Sequence, residues 1–166
     1  MYILLVFVFA IAKAPQTYAQ EDTASQRITL KKISASIIPP KHFEYDSVTD
    51  MISHKGSLSS IQIKEVKNRN YKKITAAITS EYMEKQGFTL INRQEIKMQD
   101  GEDAIIFTSR FKSHDANGKE MDFIRLMLFS GKESTIWITA DFPECITKQI
   151  ETPIKNSITS ITKNNF

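Results

Sequence analysis

The chain has one cysteine, Cys145, in 166 residues, so it cannot close a disulfide on itself. Its fold must rest on an apolar core rather than on covalent staples. A lone thiol in such a chain is expected to be buried and inert, because free cysteine is among the most buried residue types. Glycine is also scarce, at five residues, and no two stand close enough for a phosphate loop or a dinucleotide fingerprint. The three histidines, His42, His54 and His114, are far apart, and none has another at i+2 or i+4. Zinc sites draw closely spaced ligands from at least one element, so no metal or other cofactor is expected. Charge of one sign is lacking as well. The formal net charge is only +3, and basic residues are scattered among acids. That excludes the concentrated basic face that nucleic-acid binding needs.

Long hydrophobic runs are limited to one, Tyr2 to Ala12. Eleven residues at 1.5 Å each cannot cross a hydrocarbon core of about 30 Å. The run is followed by Pro15 and by Thr17-Tyr18-Ala19, with small residues at −3 and −1 of a cleavage point before Gln20. This is the pattern of a secretory signal, although no Lys or Arg precedes the run. The expected organisation is a signal peptide over 1–19, a polar leader over 20–27 and one domain over 28–166. Cleavage removes Lys13 from the 22 basic residues, leaving 21 against 19 acidic, a net of +2. Lipid anchoring would need a cysteine at the cleavage point, and none stands there. The mature chain is thus expected in the periplasm or the medium, as a monomer. Its length suits one domain with one sizeable core.

What is present is a well-patterned α+β chain. Ser34 to Ile38 reads as a strand stopped by Pro39-Pro40, whose missing donors end any ladder. Lys41 to Asp50 reads as a loop and Asp50 to His54 as a short strand, with a turn at Gly56. Ser60 to Val66 alternates apolar and polar with period two. Asn70 to Gln86 places Ile74, Ala77, Ile78 and Tyr82 on one helical stripe, with Asn70 as cap and Gly87 as stop. Four strands follow, Phe88–Ile96, Ala104–Phe111, Met121–Phe129 and Thr135–Phe142. They are divided by turns at Asp100-Gly101, Asn117-Gly118 and Gly131, which predicts an antiparallel meander. The third of these strands is apolar on both faces: Phe123, Met127 and Phe129 alternate with Ile124, Leu126 and Leu128. It must therefore be covered twice. Arg125 interrupts it and needs a carboxylate partner or a way to solvent. The covers are expected to be helices, the first helix on one side and two helices, over 143–151 and from Thr152-Pro153 onward, on the other. Ile154, Ile158 and Ile161 carry the last apolar stripe. The expected fold is a mainly antiparallel sheet sandwiched by helices, an α/β/α sandwich.

Chemistry-bearing constellations are few. Glu44, Asp46 and Asp50 share a loop without the calcium-loop spacing. Gly56-Ser57-Leu58-Ser59-Ser60 lacks the flanking glycines of a nucleophile elbow. Cys145 would be a nucleophile only if exposed beside one of the histidines. Asp22-Thr23-Ala24 and Asp46-Ser47-Val48 have an Asp-Ser/Thr-apolar pattern that resembles O-glycosylation sites of some exported bacterial proteins. Phe43 and Tyr45, on the loop after the two prolines, either lap over the sheet edge or form a binding surface; they are the candidate site residues.

The order of motifs runs from Ile37-Ile38-Pro39-Pro40-Lys41-His42-Phe43 through Glu84-Lys85-Gln86-Gly87 and Arg125-Leu126-Met127-Leu128-Phe129. It continues with Thr135-Ile136-Trp137-Ile138-Thr139-Ala140 and ends with Glu151-Thr152-Pro153-Ile154-Lys155. Over Lys32 to Ile161 this resembles the small exported bacterial proteins of the PsbP/Mog-like fold group, including the DcrB type. The resemblance implies an antiparallel sheet between helices and a non-enzymatic accessory or binding role. No motif carries a functional residue of that group onto this chain. The expected function is an exported, non-catalytic accessory or binding protein, its partner an unknown protein or envelope component. The alternatives are a small thiol enzyme using Cys145 with His42, His54 or His114, and an envelope-associated structural protein docking through Phe43 and Tyr45.

Overall fold

The computed structural model describes residues 25–115 and 117–164. The expected signal peptide, most of the leader and Thr23 lie outside them. Seven strands form one antiparallel sheet: β3 (Glu44–Asp46), β4 (Met51–His54), β5 (Ser59–Val66), β6 (Thr89–Lys97), β7 (Asp103–His114), β8 (Glu120–Ser130) and β9 (Thr135–Pro143). Their spatial order is β3-β4-β5-β9-β8-β7-β6, so the four-strand meander stays contiguous and β5 closes against its last member. The three turns are where the sequence places them, with Gly101, Gly118 and Gly131 at positive φ. At Gly131 a Cβ would stand 2.2 Å from the Ser134 carbonyl oxygen, so only glycine fits that turn.

The sheet is covered on both faces, and the alternation in β8 decides how. Ile124, Leu126 and Leu128 join Ile61, Ile138 and Phe142 on one face, under Ile154 and Ile158 of α3 (Thr147–Thr159). Met127 and Phe129 face the other way and meet Tyr71, Met83 and Phe107. That second cover is made by α1 (Tyr71–Thr75) and α2 (Ser80–Lys85). Each fully buried Leu or Ile in these layers contributes about 1.5–3 kcal/mol of transfer free energy. The fold is therefore an α+β sandwich on an antiparallel sheet.

Four details differ from the sequence expectation. The first helix is two short ones. Thr75 turns its hydroxyl back onto the Tyr71 carbonyl at 3.0 Å, and Thr79 caps a fresh start by accepting from the Tyr82 amide at 3.1 Å. The break rotates the stripe, so Ala77 and Tyr82 are exposed while Tyr71 and Met83 are buried. Gly87 does end α2, with the Gly87 and Phe88 amides bonding back to the Glu84 and Met83 carbonyls, both at 2.9 Å. The final helix, conversely, is unbroken. α3 runs through Pro153, which lies on its exposed side where water can serve the carbonyl that proline leaves unbonded. The cover on the α3 face is also not helical alone. β1 (Ile28–Leu30), β2 (Ala35–Ile37) and β10 (Thr162–Lys163) form a separate three-stranded sheet, burying Leu30, Ala35 and Ile37 beside α3. Finally, the loop over 41–50 contains β3, a short edge strand paired with β4.

Arg125 finds its carboxylate. Its Nε and Nη2 each donate to Asp141, at 2.7 Å, across the β8–β9 pair. Its guanidinium also lies over the rings of Phe88 and Phe111, at 4.7 and 4.9 Å. This fork is the geometry that makes arginine, rather than lysine, suited to a half-buried site.

Candidate functional site

Phe43 and Tyr45 stand two positions apart and therefore have different surroundings. Tyr45, in β3, is half-buried against the core, and its hydroxyl donates to Asp50 and accepts the Lys31 amide at 3.1 Å. Asp50 in turn accepts the Lys32 amide at 2.9 Å. Tyr45 thereby ties the chain after β1 to the β3–β4 turn. Burial first, then the hydrogen bond to Asp50, pushes its phenol above the ordinary tyrosine value.

Phe43 also packs on the core, but its outer side borders a cleft. The double proline and His42, at φ 66°, turn the chain so that Phe43 meets the His54 ring at 5.5 Å between centroids. Across the gap stand Ile146, Gln149, Ile150 and Pro153 at the start of α3. The cleft holds about 390 Å³, within the range of small-ligand pockets. It continues past Pro40, Lys41 and Pro153 into a shallower hollow of about 690 Å³ reaching Ser157 and Ser160. Among the described residues no acidic side chain lines either part. Four buried side-chain atoms among the described residues lack a hydrogen-bond partner: His54 Nδ1 and Ser157 Oγ here, and Ser109 Oγ and Trp137 Nε1 in the sheet. Such atoms are uncommon in settled interiors. A larger hollow of about 780 Å³ lies at the far end of the sheet, but it is lined mainly by charged and polar side chains, of which Lys97 pairs with Asp103 and Lys163 donates to the Ser134 carbonyl. The apolar cleft is thus the better-formed concavity.

The structure brings His42, Phe43 and His54 to one cleft and leaves His114 at the exposed end of β7. Cys145 is exposed, contrary to the buried thiol expected from the sequence. It sits in the one-turn helix Glu144–Ile146, where its neighbour Glu144 reaches out to Arg110 rather than inward. The carboxylates of the acidic loop are each engaged separately. Glu44 pairs with Lys55 at 3.1 Å. Asp46 accepts the Val48 amide and the Thr49 hydroxyl, both at 2.8 Å, which hold its pKa below the usual range. Among the described residues no group of three His, Cys, Asp or Glu side chains is placed to hold a metal ion. No described helix is long and apolar enough to cross a membrane.

Sequence reasoning missed the α3 wall of the cleft. The signal was available: Ile146, Ile150, Ile154 and Ile158 recur at i+4, a stripe that continues through Thr152-Pro153.

No protein-family model matches the chain, and none of the curated proteins does. Solved structures do. Cyanobacterial PsbP (CyanoP) from Synechocystis sp. PCC 6803 superposes with a TM-score of 0.55 at 12% identity, covering 87% of this chain and 95% of that one. LpqN, involved in cell envelope biogenesis of Mycobacterium tuberculosis, gives 0.54 at 11% identity, covering 82% and 88%. A protein of unknown function from Pseudomonas aeruginosa gives 0.51 at 17%, covering 65% and 74%. At these identities the likeness is one of fold: this chain has the PsbP-like α+β fold.

Proposed function

We propose that this chain is an exported, non-catalytic accessory or binding protein that engages a protein or envelope component through the cleft between the double-proline loop and α3. The observation that carries this reading is the character of that cleft. Its walls are Pro40, Phe43, Ile146, Ile150 and Pro153, its polar rim is His42, His54 and Gln149, and no acid is among the described residues that line it, to orient a histidine as a base. It is built to hold an apolar group. Export is supported by the signal pattern over 1–19, and the extracytoplasmic setting by the CyanoP and LpqN folds. Assignment to the DcrB type within the fold group is part of the same proposal and rests on motif order.

Replacing Gln149, an exposed residue of α3, by Trp fills the cleft from outside without disturbing the core. In the native host, wild-type protein should be retained with the envelope and Gln149→Trp should be released with an unchanged melting temperature. Equal retention of both would remove the cleft from the account.

The exposed Cys145 keeps the thiol enzyme as a second reading. It requires that Cys145→Ser abolish whatever activity the wild type shows, whereas the binding role requires that envelope retention survive that change.

A further inference from the structure

We infer that two copies of this chain join edge to edge through β6, in antiparallel register centred on Gln94, so that their seven-stranded sheets run on as one. Such a dimer would use an edge away from the cleft, in place of the monomer expected from sequence.

Among the described residues β6 is the last strand in the order and pairs only with β7, so no described strand lies beside its outer backbone groups. It is nine residues long, whereas the opposite edge, β3, has three. A β-bulge between Leu90 and Asn92 ends the regular ladder on one side. From Asn92 to Lys97 the register is regular, and Gln94, between the opposite charges of Arg93 and Glu95, lies near the middle of that segment. Ile91, 51% exposed, stands at its margin as one of few large apolar side chains left to water.

The charges on this segment are self-complementary. Arg93 and Glu95 pair with Phe107 and Ile105 in the register, so both point to the face carrying α1 and α2. Both are exposed, and neither has an ion-pair partner among the described residues, although Arg93 lies over the Phe107 ring at 5.8 Å. An antiparallel two-fold through Gln94 sets Arg93 of one copy opposite Glu95 of the other, and the reverse. Residues directly opposite have Cβ atoms about 4.5–5.5 Å apart, close enough to pair twice per dimer. An edge guarded against association carries charge of one sign, which repels a second copy. Opposite signs two residues apart do the reverse. Main-chain hydrogen bonds supply the attraction, and the two charge pairs fix register and partner.

Sedimentation of the mature chain between about 10 µM and about 1 mM spans the affinities expected of so small an interface. Wild type should dimerise reversibly. Arg93→Glu and Glu95→Arg should each weaken the dimer about tenfold or more, since each turns two attractions into two repulsions. An equimolar mixture of the two variants should recover it as a heterodimer, identified by native mass spectrometry. One chain then carries acids at both positions and the other carries bases at both, so each cross-strand pair is again of opposite sign. Both sites are exposed, and circular dichroism checks that each variant folds. A wild type that stays monomeric throughout, or a dimer indifferent to either reversal, or a mixture that fails to recover, would overturn the proposal.

Discussion

Tyr45 illustrates how a single hydroxyl can join two segments. Its bonds to Asp50 and to the Lys31 amide hold the start of the domain against the sheet edge. Tyr45→Phe should lower stability by about 1 kcal/mol, read from urea unfolding. The raised phenol pKa sets the sign of the pH effect. A group whose pKa is higher folded than unfolded contributes fully below the ordinary tyrosine value of 10.0 and loses that contribution as pH rises through the folded value. Wild type should therefore lose stability at alkaline pH more steeply than Tyr45→Phe does. Arg125 and Asp141 make a second test. Asp141→Ala leaves a half-buried guanidinium between two rings and should cost about 1.5–3 kcal/mol. Replacing both residues by apolar ones of similar size should recover most of that loss. The need for a carboxylate was legible, because Arg125 interrupts an apolar strand; which carboxylate was not, because the β8–β9 register depends on the turn at Gly131. Cys145 was misjudged for a similar reason. Composition favours burial, but the one-turn helix before α3 leaves the thiol outside, so it should react with maleimide in the native state as fast as in urea.

Elements were readable where turn chemistry and periodicity agreed, and misread where a polar side chain or a proline decided. The meander has Gly at each of its three turns and alternating faces between them, so nothing competes with the strand pattern. Between Asn70 and Gln86 two threonines bond to the backbone and split one apolar stripe into two helices. Thr79→Ala should lose about 1 kcal/mol, and the loss should appear as faster amide exchange in α2. Thr152-Pro153 resembles a helix start, yet α3 continues because Ile150, Ile154 and Ile158 are anchored on the sheet while Pro153 faces water. Pro153→Ala restores a backbone bond and should raise stability by about 1 kcal/mol or more. Had the helix restarted at Pro153, the same change would lower it. β6 is the element whose purpose the strand pattern alone does not disclose: its nine residues exceed what a protected edge needs.

At the scale of the whole molecule, one sheet with two different covers explains both the stability and the placement of the site. Leu128 lies at 0% exposure in the α3-side layer, and Leu128→Ala should cost about 2–5 kcal/mol. The two-faced apolar pattern of β8 made a sandwich legible, but not that β1, β2 and β10 would share the cover with α3. Those strands are two or three residues long and pair the two ends of the domain, a contact no local pattern announces. The cleft is a consequence of this arrangement. Where the double proline ends β2 and α3 begins, the two covers of the same face diverge, and Phe43 fills only part of the gap. Phe43 could be singled out from sequence because an aromatic on a proline-bounded loop has no place in a strand; the isoleucine stripe of its opposite wall was legible too, but not that it faces Phe43, because the two segments lie about a hundred residues apart. The central claim is that this space holds a partner outside the cytoplasm. It is tested most directly by native mass spectrometry of the wild type and Gln149→Trp recovered from the host's extracytoplasmic fraction. The recovered chain should begin at Gln20 and carry a bound component in the wild type and none in the variant. A chain retaining Met1, or a component held equally by both, would contradict it.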